Sequence, residues 1–269
     1  MIEMIKENFS FKKQLMKLSK SELIKKYKGA ALGPAWAIIN PTVTIFVYWF
    51  AFVVGLRGGK PVTYQGGERT FFQFLVVGNL PWFFMRDAIL NGAKCFRDNR
   101  AFITKMPFPV SAIPTYTLLA DLYANLGLTV VVYVLMLCLG VKPSIYNLQL
   151  LFYIPMMYLM FLFLSWATAP LCAISRDFHN IIKAVSQALF WISGIVYNPH
   201  GIESPILRKI ILANPITYFA NGFRNALLYE TWFWETRFET CCMFAWMVVF
   251  AIVGVYTYRR MRKIIPDVL

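Results

Sequence analysis

Charged side chains are rare in the apolar stretches of this sequence, and the few that occur there are the first candidates for chemistry. Arg86 and Asp87 lie in one apolar stretch, and Asp121 lies in the next. A charge that faced lipid would be costly, so such residues face protein or an aqueous cavity. Counting 1.5 Å per residue places Arg86 about 10 Å deep and Asp121 about 18 Å deep. We expect an Arg86–Asp121 ion pair; the alternative is a phosphate contact from Arg86.

The sequence contains no recognisable catalytic arrangement. Gly58-Gly59-Lys60 superficially suggests a nucleotide-binding loop, but that motif needs glycine and Ser or Thr where Val54 and Pro61 stand. The two histidines, His179 and His200, fall on opposite sides of the predicted membrane domain, and the cysteines form no CxxC motif. We therefore expect no catalytic residue, no metal site and no cofactor in this chain.

The composition argues against an ordinary soluble domain. The 269 residues are 58% hydrophobic and 15% charged, whereas soluble domains carry roughly 25% charged residues. A membrane crossing takes about 20 apolar residues. Six stretches qualify, at 35–56, 70–91, 109–139, 148–174, 182–197 and 238–258. We predict an all-α membrane protein with six transmembrane helices in a domain spanning 35–258.

The basic residues predict the orientation of these helices. A net charge of +14 could indicate nucleic acid, but the basic residues flank apolar stretches and do not mark one soluble face. Of the 27 Lys and Arg residues, 18 lie on the side of the termini, 8 lie on the opposite side, and Arg86 lies within a span. The positive-inside rule then places both termini, including the tail 259–269, in the cytoplasm of a multi-pass plasma-membrane protein.

The segment 1–34 alternates apolar residues with lysines at near-helical spacing. This pattern predicts an amphipathic helix in the cytoplasmic membrane interface; the alternative is a soluble helix packed on a partner. Ser19-Lys20-Ser21-Glu22 matches a capping box and predicts a new helical turn there. Lys25, Lys26 and Lys28 lie just before the first span, where they could bind a lipid phosphate or simply attract anionic lipid.

The segment 198–237 contains apolar pieces that are too short to cross a membrane, interrupted by Pro205, Pro215 and Gly222. Such pieces are typical of re-entrant or interfacial elements. We expect re-entrant outer helices before the last span. Arg224 in this segment is a candidate phosphate contact, or it caps one of these helices.

Two segments predicted to be cytoplasmic, 94–107 and 175–183, mix aromatic and charged residues, as interface hot spots do. From composition alone, a contact with a partner and a solvated loop are equally good interpretations. The candidate contact residues are Phe96, Arg97, Arg100, Arg176, Asp177, Phe178 and His179.

Aromatic residues make up 17% of the chain. Most of them fit lipid-facing packing and the interfacial aromatic belt. Flat rings could also line a path along which a sugar chain slides. We take Tyr48, Trp49, Phe72 and Trp82 as the candidates for that lining.

Four segments carry a resemblance to a known family. They are GAALGPAWAIINPTVTIFVYWFAFVVGLR at 29–57, KMPFPVSAIPTYTLLADLYANLGL at 105–128, SRDFHNIIKAV at 175–185 and NPITYFANGFRNALLYETW at 214–232. In this order the segments resemble permease subunits of polysaccharide-exporting ABC transporters. The first two are most similar to the branch that exports wall teichoic acid. The likeness extends over nearly the whole chain.

The resemblance implies a homodimeric permease with two separate ATP-binding subunits, which would bind the ATP and Mg²⁺. The expected substrate is a polymer on undecaprenyl diphosphate, either wall teichoic acid or, as the alternative, O-antigen or capsular polysaccharide. It further implies a lateral gate between the first and fifth spans, an exit gate in 198–237, and coupling helices in 94–107 and 175–183. An ion-coupled carrier would be expected to show internal repeats, and an enzyme acting on polyprenyl lipids would need an acid or base cluster. We find neither in the sequence.

Overall fold

The computed structural model describes residues 2–57, 61–64, 67–105, 108–262 and 264–265, and within these the chain is mostly helical. Gly58-Gly59-Lys60 lies outside the described residues. The helices are α1 (Ile2–Ser10), α2 (Lys12–Lys26), α3 (Trp36–Trp49), α4 (Phe71–Asp98), α5 (Arg100–Lys105), α6 (Ala112–Cys138), α7 (Leu150–Ile174), α8 (Arg176–Ile192), α9 (Pro205–Leu212), α10 (Pro215–Arg224) and α11 (Arg237–Met261).

Shorter elements connect the helices. Short 3-10 helices cover Gly33–Ala35, Ile145–Gln149 and Pro199–Gly201, and π-helical turns cover Phe50–Arg57 and Asn225–Tyr229. Strands β1 (Val62–Tyr64) and β2 (Gly67–Arg69) form an antiparallel hairpin in which Val62 pairs with Arg69. The prediction of an all-α chain is therefore wrong at this hairpin. Its first strand is Val-Thr-Tyr, three residues that favour extended backbone.

Four segments within the described residues are long and apolar enough to cross a membrane. They are Gly33–Gly55, Ala112–Cys138, Ile145–Ile174 and Arg237–Met261. These correspond to four of the six predicted stretches. The other two contain α4, whose apolar sequence is interrupted by polar residues such as Arg86 and Asp87, and α8, which has only 17 residues. The structure thus supports a multi-pass membrane protein without fixing six crossings.

Helix α4 lies at the centre of the bundle, where it packs against α3, α6, α7, α8 and α10. Its start is set by a capping box, in which the Thr70 hydroxyl accepts from the Gln73 amide and the Gln73 side chain accepts from the Thr70 amide. Most of its residues from Phe71 to Phe96 are buried. Because its neighbours are protein helices, α4 can hold polar residues that lipid would not tolerate.

Helix α7 contacts both α4 and α11, and the second contact brings two backbones together. A Cβ atom at Gly254 of α11 would lie 2.4 Å from the carbonyl oxygen of Phe163 on α7. Only glycine permits that approach, as is common where membrane helices pack closely.

The N-terminal segment differs from its predicted form at one point. Helix α2 runs without a break from Lys12 to Lys26, so the expected helix start at Ser19 is wrong. Ser19 lies fully buried in the helix interior, where its hydroxyl donates to the carbonyl of Met16 at 3.1 Å, one turn back along the same helix. Helix α2 packs along α6, and the chain turns into α3 through Gly29 and Gly33, both with positive φ.

Part of the segment 198–237 packs inside the bundle. Helix α9 ends before Asn214, whose side chain accepts from the Ile216 amide and donates to Ser193 at 2.7 Å. Residues 216–224 of α10 are all buried, against α4, α7 and α11. The π-helical turn that follows α10 ends before Glu230, whose backbone adopts a left-handed conformation (φ 53°).

We expect Gly254→Ala to destabilise the protein by about 1–3 kcal/mol, because its Cβ would force α11 away from α7. The measurement is the thermal unfolding midpoint of the purified chain in lipid nanodiscs. Gly127→Ala is the matched control, since Gly127 lies in α6 and its Cβ would meet nothing within 4 Å. Equal midpoints for the two variants would contradict the close packing of α7 and α11.

Candidate functional site

A cluster of charged side chains lies where the C-terminal end of α2 meets α4 and α6. The Lys26 ammonium is 3.1 Å from Asp121 Oδ1 and 3.4 Å from Asp87 Oδ2. Asp121 is almost fully buried, and its second oxygen accepts from the Asn91 side-chain amide at 2.9 Å. One lysine on the interface helix therefore bridges carboxylates on two different helices.

The predicted Arg86–Asp121 ion pair is wrong. Arg86 instead binds its neighbour Asp87, with Nη2 at 2.8 Å and Nε at 3.1 Å from the same carboxylate oxygen. The depth estimate considered only α4 and α6, whereas the cation that reaches Asp121 comes from α2. Arg86 also lies over the ring of Phe83, 5.8 Å from its centroid.

The ammonium of Lys26 and the carboxylates of Asp121 and Asp87 stabilise one another in their charged forms. Burial alone would lower the pKa of Lys26, but the carboxylates of Asp121 and Asp87 outweigh that effect and hold the pKa above its usual value. Lys26 is therefore a cation at every physiological pH. The buried carboxylate of Asp121 in turn depends on this cation and on Asn91.

A cavity of about 530 Å³ opens beside this cluster. Its lining includes the charged residues Lys26, Lys28, Arg86, Asp87 and Asp121. The rest of the lining mixes asparagine side chains with apolar residues from α3, α4 and α6. The apolar residues include Trp36, Ala37, Pro41, Phe83, Phe84 and Leu128. A second cavity, of about 380 Å³, shares Lys26, Asn91 and Asp121 and continues past Lys25.

The three candidate lysines have different environments. Lys26 is held in the cluster, Lys28 lines the larger cavity, and Lys25 is exposed, with its ammonium 3.5 Å from a carboxylate oxygen of Glu22. The structure therefore brings Lys26, Lys28 and Arg86 together around one cavity. Lys25 borders only the smaller cavity.

Arg224 lies elsewhere, in the protein interior. It is fully buried, and its guanidinium donates to the carbonyls of Phe74 at 3.2 Å and Gly194 at 2.9 Å, to Ile195, and to the side chain of Asn221. This corrects the prediction of a phosphate contact, because carbonyl oxygens already occupy the guanidinium. Arg224 joins α10 to α4 and to the end of α8.

The candidate aromatic residues meet where α3, α4 and α8 approach one another. Tyr48 stacks on Phe190 with centroids 5.2 Å apart, and Trp82 packs on the same ring at 5.5 Å. Trp49 contacts Phe72 edge-on at 6.2 Å. Trp82 is buried, so it does not face an open path in this conformation, whereas Tyr48, Trp49 and Phe72 are half-buried.

The first predicted coupling segment is the end of α4 together with α5. Phe96 is fully buried, which corrects its prediction as a surface contact, because it packs inside the bundle. Arg97 is partly buried and donates to the carbonyl of Cys172 at the end of α7, at 3.4 Å. Arg100 is exposed at the start of α5. The arginines, and not the aromatic, lie at the surface of this segment.

The second predicted coupling segment begins α8. Ser175 caps the helix by accepting from the Asp177 amide at 3.2 Å. Arg176, Asp177 and Phe178 are exposed, with Phe178 at 41%. His179 is partly buried. Burial and the nearby cations Arg97 and Lys94 lower its pKa, so it is neutral at pH 7.

Sequence reasoning missed two contributors to these clusters. Asn91 holds Asp121, and Phe190 is the ring on which Tyr48 and Trp82 converge. An amide one turn from Asp87 on α4 was a usable signal for Asn91, because a buried carboxylate needs a second donor. Phe190 had no distinguishing signal among the many aromatics of this chain.

Comparison with known proteins agrees with this architecture. The profile of the ABC-2 type transporter family matches residues 13–228. An O-antigen export system permease protein, RfbA, of Myxococcus xanthus is 28% identical over 243 residues, covering 86% of this chain and 85% of the relative. Two RfbA proteins of Klebsiella pneumoniae are 22% identical over 256 residues (95% and 94% covered) and 25% identical over 232 residues (81% and 86% covered).

We expect Lys26→Met to destabilise the protein by about 2 kcal/mol. This is less than the roughly 3–5 kcal/mol for breaking a fully buried pair, because Lys26 is partly exposed. Lys25→Met is the control, since Lys25 pairs only with Glu22 on the surface of the same helix. Unfolding of each variant in nanodiscs measures the difference.

The same unfolding measurement on Lys26→Met, on Asp121→Asn and on the double variant isolates the contribution of the Lys26–Asp121 ion pair to stability. We expect the double variant to lose less stability than the sum of the two single variants, because the neutral amide introduced by Asp121→Asn no longer needs a cation. Additive losses would contradict the Lys26–Asp121 ion pair.

Proposed function

The chain belongs to the ABC-2 type transporter family, and on that premise we propose that it is the membrane permease subunit of an ATP-driven exporter of lipid-linked polysaccharide. The substrate we favour is a polymer of the O-antigen type, because three similar proteins are O-antigen export permeases. Wall teichoic acid, the first interpretation of the sequence, has no comparable support. Either polymer would be carried on a polyprenyl diphosphate, so the lipid end would present the same chemistry to the protein.

The observation that carries this proposal is the cavity beside α2. Its lining combines charged residues, among them Lys28 and Arg86, with apolar residues from α3, α4 and α6. An amphiphile with an anionic head and a long apolar tail matches that distribution. A polyprenyl diphosphate is such a molecule, and the cavity lies between the interface helix and the first predicted span, where a lipid can arrive laterally.

The proposed topology has six crossings with both termini in the cytoplasm. Helix α4 is about 42 Å long and α8 about 26 Å, so both can contribute to a crossing with the four more apolar segments. The lengths and the 18-to-8 distribution of basic residues support this arrangement.

Helices α9 and α10 would form the re-entrant outer gate within 198–237. Irregular backbone survives at membrane depth only where its polar groups are satisfied. In the turn between α9 and α10, the Asn214 side chain accepts from the Ile216 amide and donates to Ser193. Just after α8, Arg224 donates to the carbonyl of Gly194. The burial of α10 against α4 supports a position of that helix inside the bundle.

The proposed assembly contains a second copy of this chain and two ATP-binding subunits. The end of α3 is uncovered: Phe46 and Val47 in α3, and Phe50 at the start of the π-helical turn that follows, are more than half exposed and require lipid or a second copy against them. The stacked pair Tyr48–Phe190 joins the first predicted span to the fifth, where the lateral gate is expected. The exposed start of α8 and helix α5 provide the surface for the ATPase.

The direct test is transport by the purified complex in proteoliposomes. We expect lipid-linked polysaccharide to cross the bilayer only when the chain is assembled with its ATP-binding subunit and supplied with ATP and Mg²⁺. The measurement is protection of the polymer from an external glycosidase. Transport by the chain alone, driven by an ion gradient, would contradict the proposal.

We expect Phe178→Ala to lower transport at least about tenfold while ATP hydrolysis continues, because the side chain would no longer anchor α8 to the ATPase. Transport and phosphate release are measured on the same proteoliposomes. Leu151→Ala is the control, since Leu151 is 76% exposed at the start of α7, at the opposite end of that helix from α8. Unchanged transport by a fully assembled Phe178→Ala complex would contradict this role.

A further inference from the structure

Two of the three cations that line the larger cavity, Lys26 and Arg86, are already bound to carboxylates. Lys26 contacts Asp87 and Asp121, and Arg86 contacts Asp87 through two nitrogen atoms. Three cationic and two anionic side chains line this cavity, which gives a formal net charge of +1. Only Lys28 among the three cations has no carboxylate in this cluster.

A diphosphate carries two to three negative charges and therefore exceeds the free charge of this cavity. To bind Lys26 or Arg86 it must take the place of a carboxylate, because like charges at contact distance cost several kcal/mol. The network is thus not an open phosphate site. Its cations become available only through exchange of one anion for another.

We propose that Asp87 and Asp121 are the resting counter-anions of this site, and that a diphosphate replaces them on Lys26 and Arg86. This inference rests on the proposed function, in which the cavity receives a diphosphate lipid. The two aspartates act as positioning residues. The aspartates hold the cations in place. Any anion that binds these cations must first displace the aspartates, and the free energy of that displacement weakens its binding.

The surroundings of the two aspartates permit exchange. Asp87 is partly exposed (29% of its side chain), so solvent can receive its carboxylate. Asp121 is only 4% exposed but retains the Asn91 amide at 2.9 Å after Lys26 leaves. Lys26 has a flexible stem and is 37% exposed, so its ammonium can turn toward the cavity without unfolding α2.

Exchange has a mechanical consequence for the interface helix. The two ion pairs of Lys26 connect the end of α2 to α4 and α6 simultaneously. A diphosphate that takes Lys26 breaks both connections. Arrival of the anionic head therefore loosens the end of α2 at the side from which the lipid tail enters.

The test is equilibrium binding of farnesyl diphosphate to the full chain, without an ATPase, in nanodiscs of zwitterionic lipid. We expect Asp121→Asn to tighten binding about tenfold, because the competing anion is removed while the shape is kept. Asp87→Asn, in the more exposed position, should also tighten binding. Glu203→Gln makes the same charge change on an exposed residue of the segment 198–237 and should leave binding unchanged.

Unchanged or weaker binding by both aspartate variants would overturn the inference, because a purely structural role predicts a loss and never a gain. Equal tightening by Glu203→Gln would overturn it as well, since net charge alone would explain the effect. Farnesol, which has no phosphate, should not respond to either aspartate variant. Inorganic diphosphate should bind more weakly than farnesyl diphosphate; binding that is equal or tighter would assign the site to a free phosphate instead of a lipid headgroup.

This experiment is separate from the transport test. If transport by the full complex fails but Asp121→Asn still tightens farnesyl diphosphate binding, the exchange site stands and the export function falls. If transport succeeds and the aspartate variants do not tighten binding, the exporter stands and the exchange inference falls.

Discussion

Burying a carboxylate among apolar helices requires a cation close to it, and this requirement determines how the N-terminal helix sits on the rest of the protein. Asp121 is buried on α6, and the lysine that compensates it comes from α2, outside the predicted spans. Removing water from one such ion costs several kcal/mol unless a partner and hydrogen bonds replace it. Lys26 and Asn91 together provide that replacement. This contact joins the end of α2 to α4 and α6, in addition to the packing of α2 along α6.

A related constraint applies at the other end of α4. Arg224 is a fully buried cation, and it is satisfied by carbonyl oxygens from α4 and from the end of α8. Gly78 on α4 leaves the space for it, since a Cβ there would lie 2.1 Å from a guanidinium nitrogen. Helix α4 is therefore tied to neighbouring elements by charged side chains at two levels, through Phe74 to Arg224 near its start and through Asp87 to Lys26 farther along.

The sequence allowed the broad architecture to be predicted, because apolar length and basic flanks report on the membrane directly. Four of the six predicted stretches are long and apolar enough to cross a membrane. The ABC-transporter family suggested by four short segments is confirmed at the level of the ABC-2 type family, whereas the teichoic acid branch is not. The ion pairs could not be predicted, since depth along α4 and α6 carries no information about an element that folds beneath them. Lys25, Lys26 and Lys28 look equivalent in sequence, and only their position on α2 separates them. Phe96 looked like Phe178, yet one is buried and the other exposed, because burial depends on neighbours that the local pattern does not contain.

The central claim is that Lys26 and Asp121 form a direct ion pair that joins the interface helix to the membrane domain. Solid-state NMR of the chain in nanodiscs, with ¹⁵N in lysine side chains and ¹³C in aspartate carboxyls, measures this contact through their dipolar coupling. We expect a coupling that corresponds to about 3–4 Å between Lys26 Nζ and the Asp121 carboxyl carbon, and its loss in Lys26→Arg, which lacks the labelled ammonium. If no lysine nitrogen lies within this distance of the Asp121 carboxyl, the ion pair does not exist and α2 is not joined to α6 in this way.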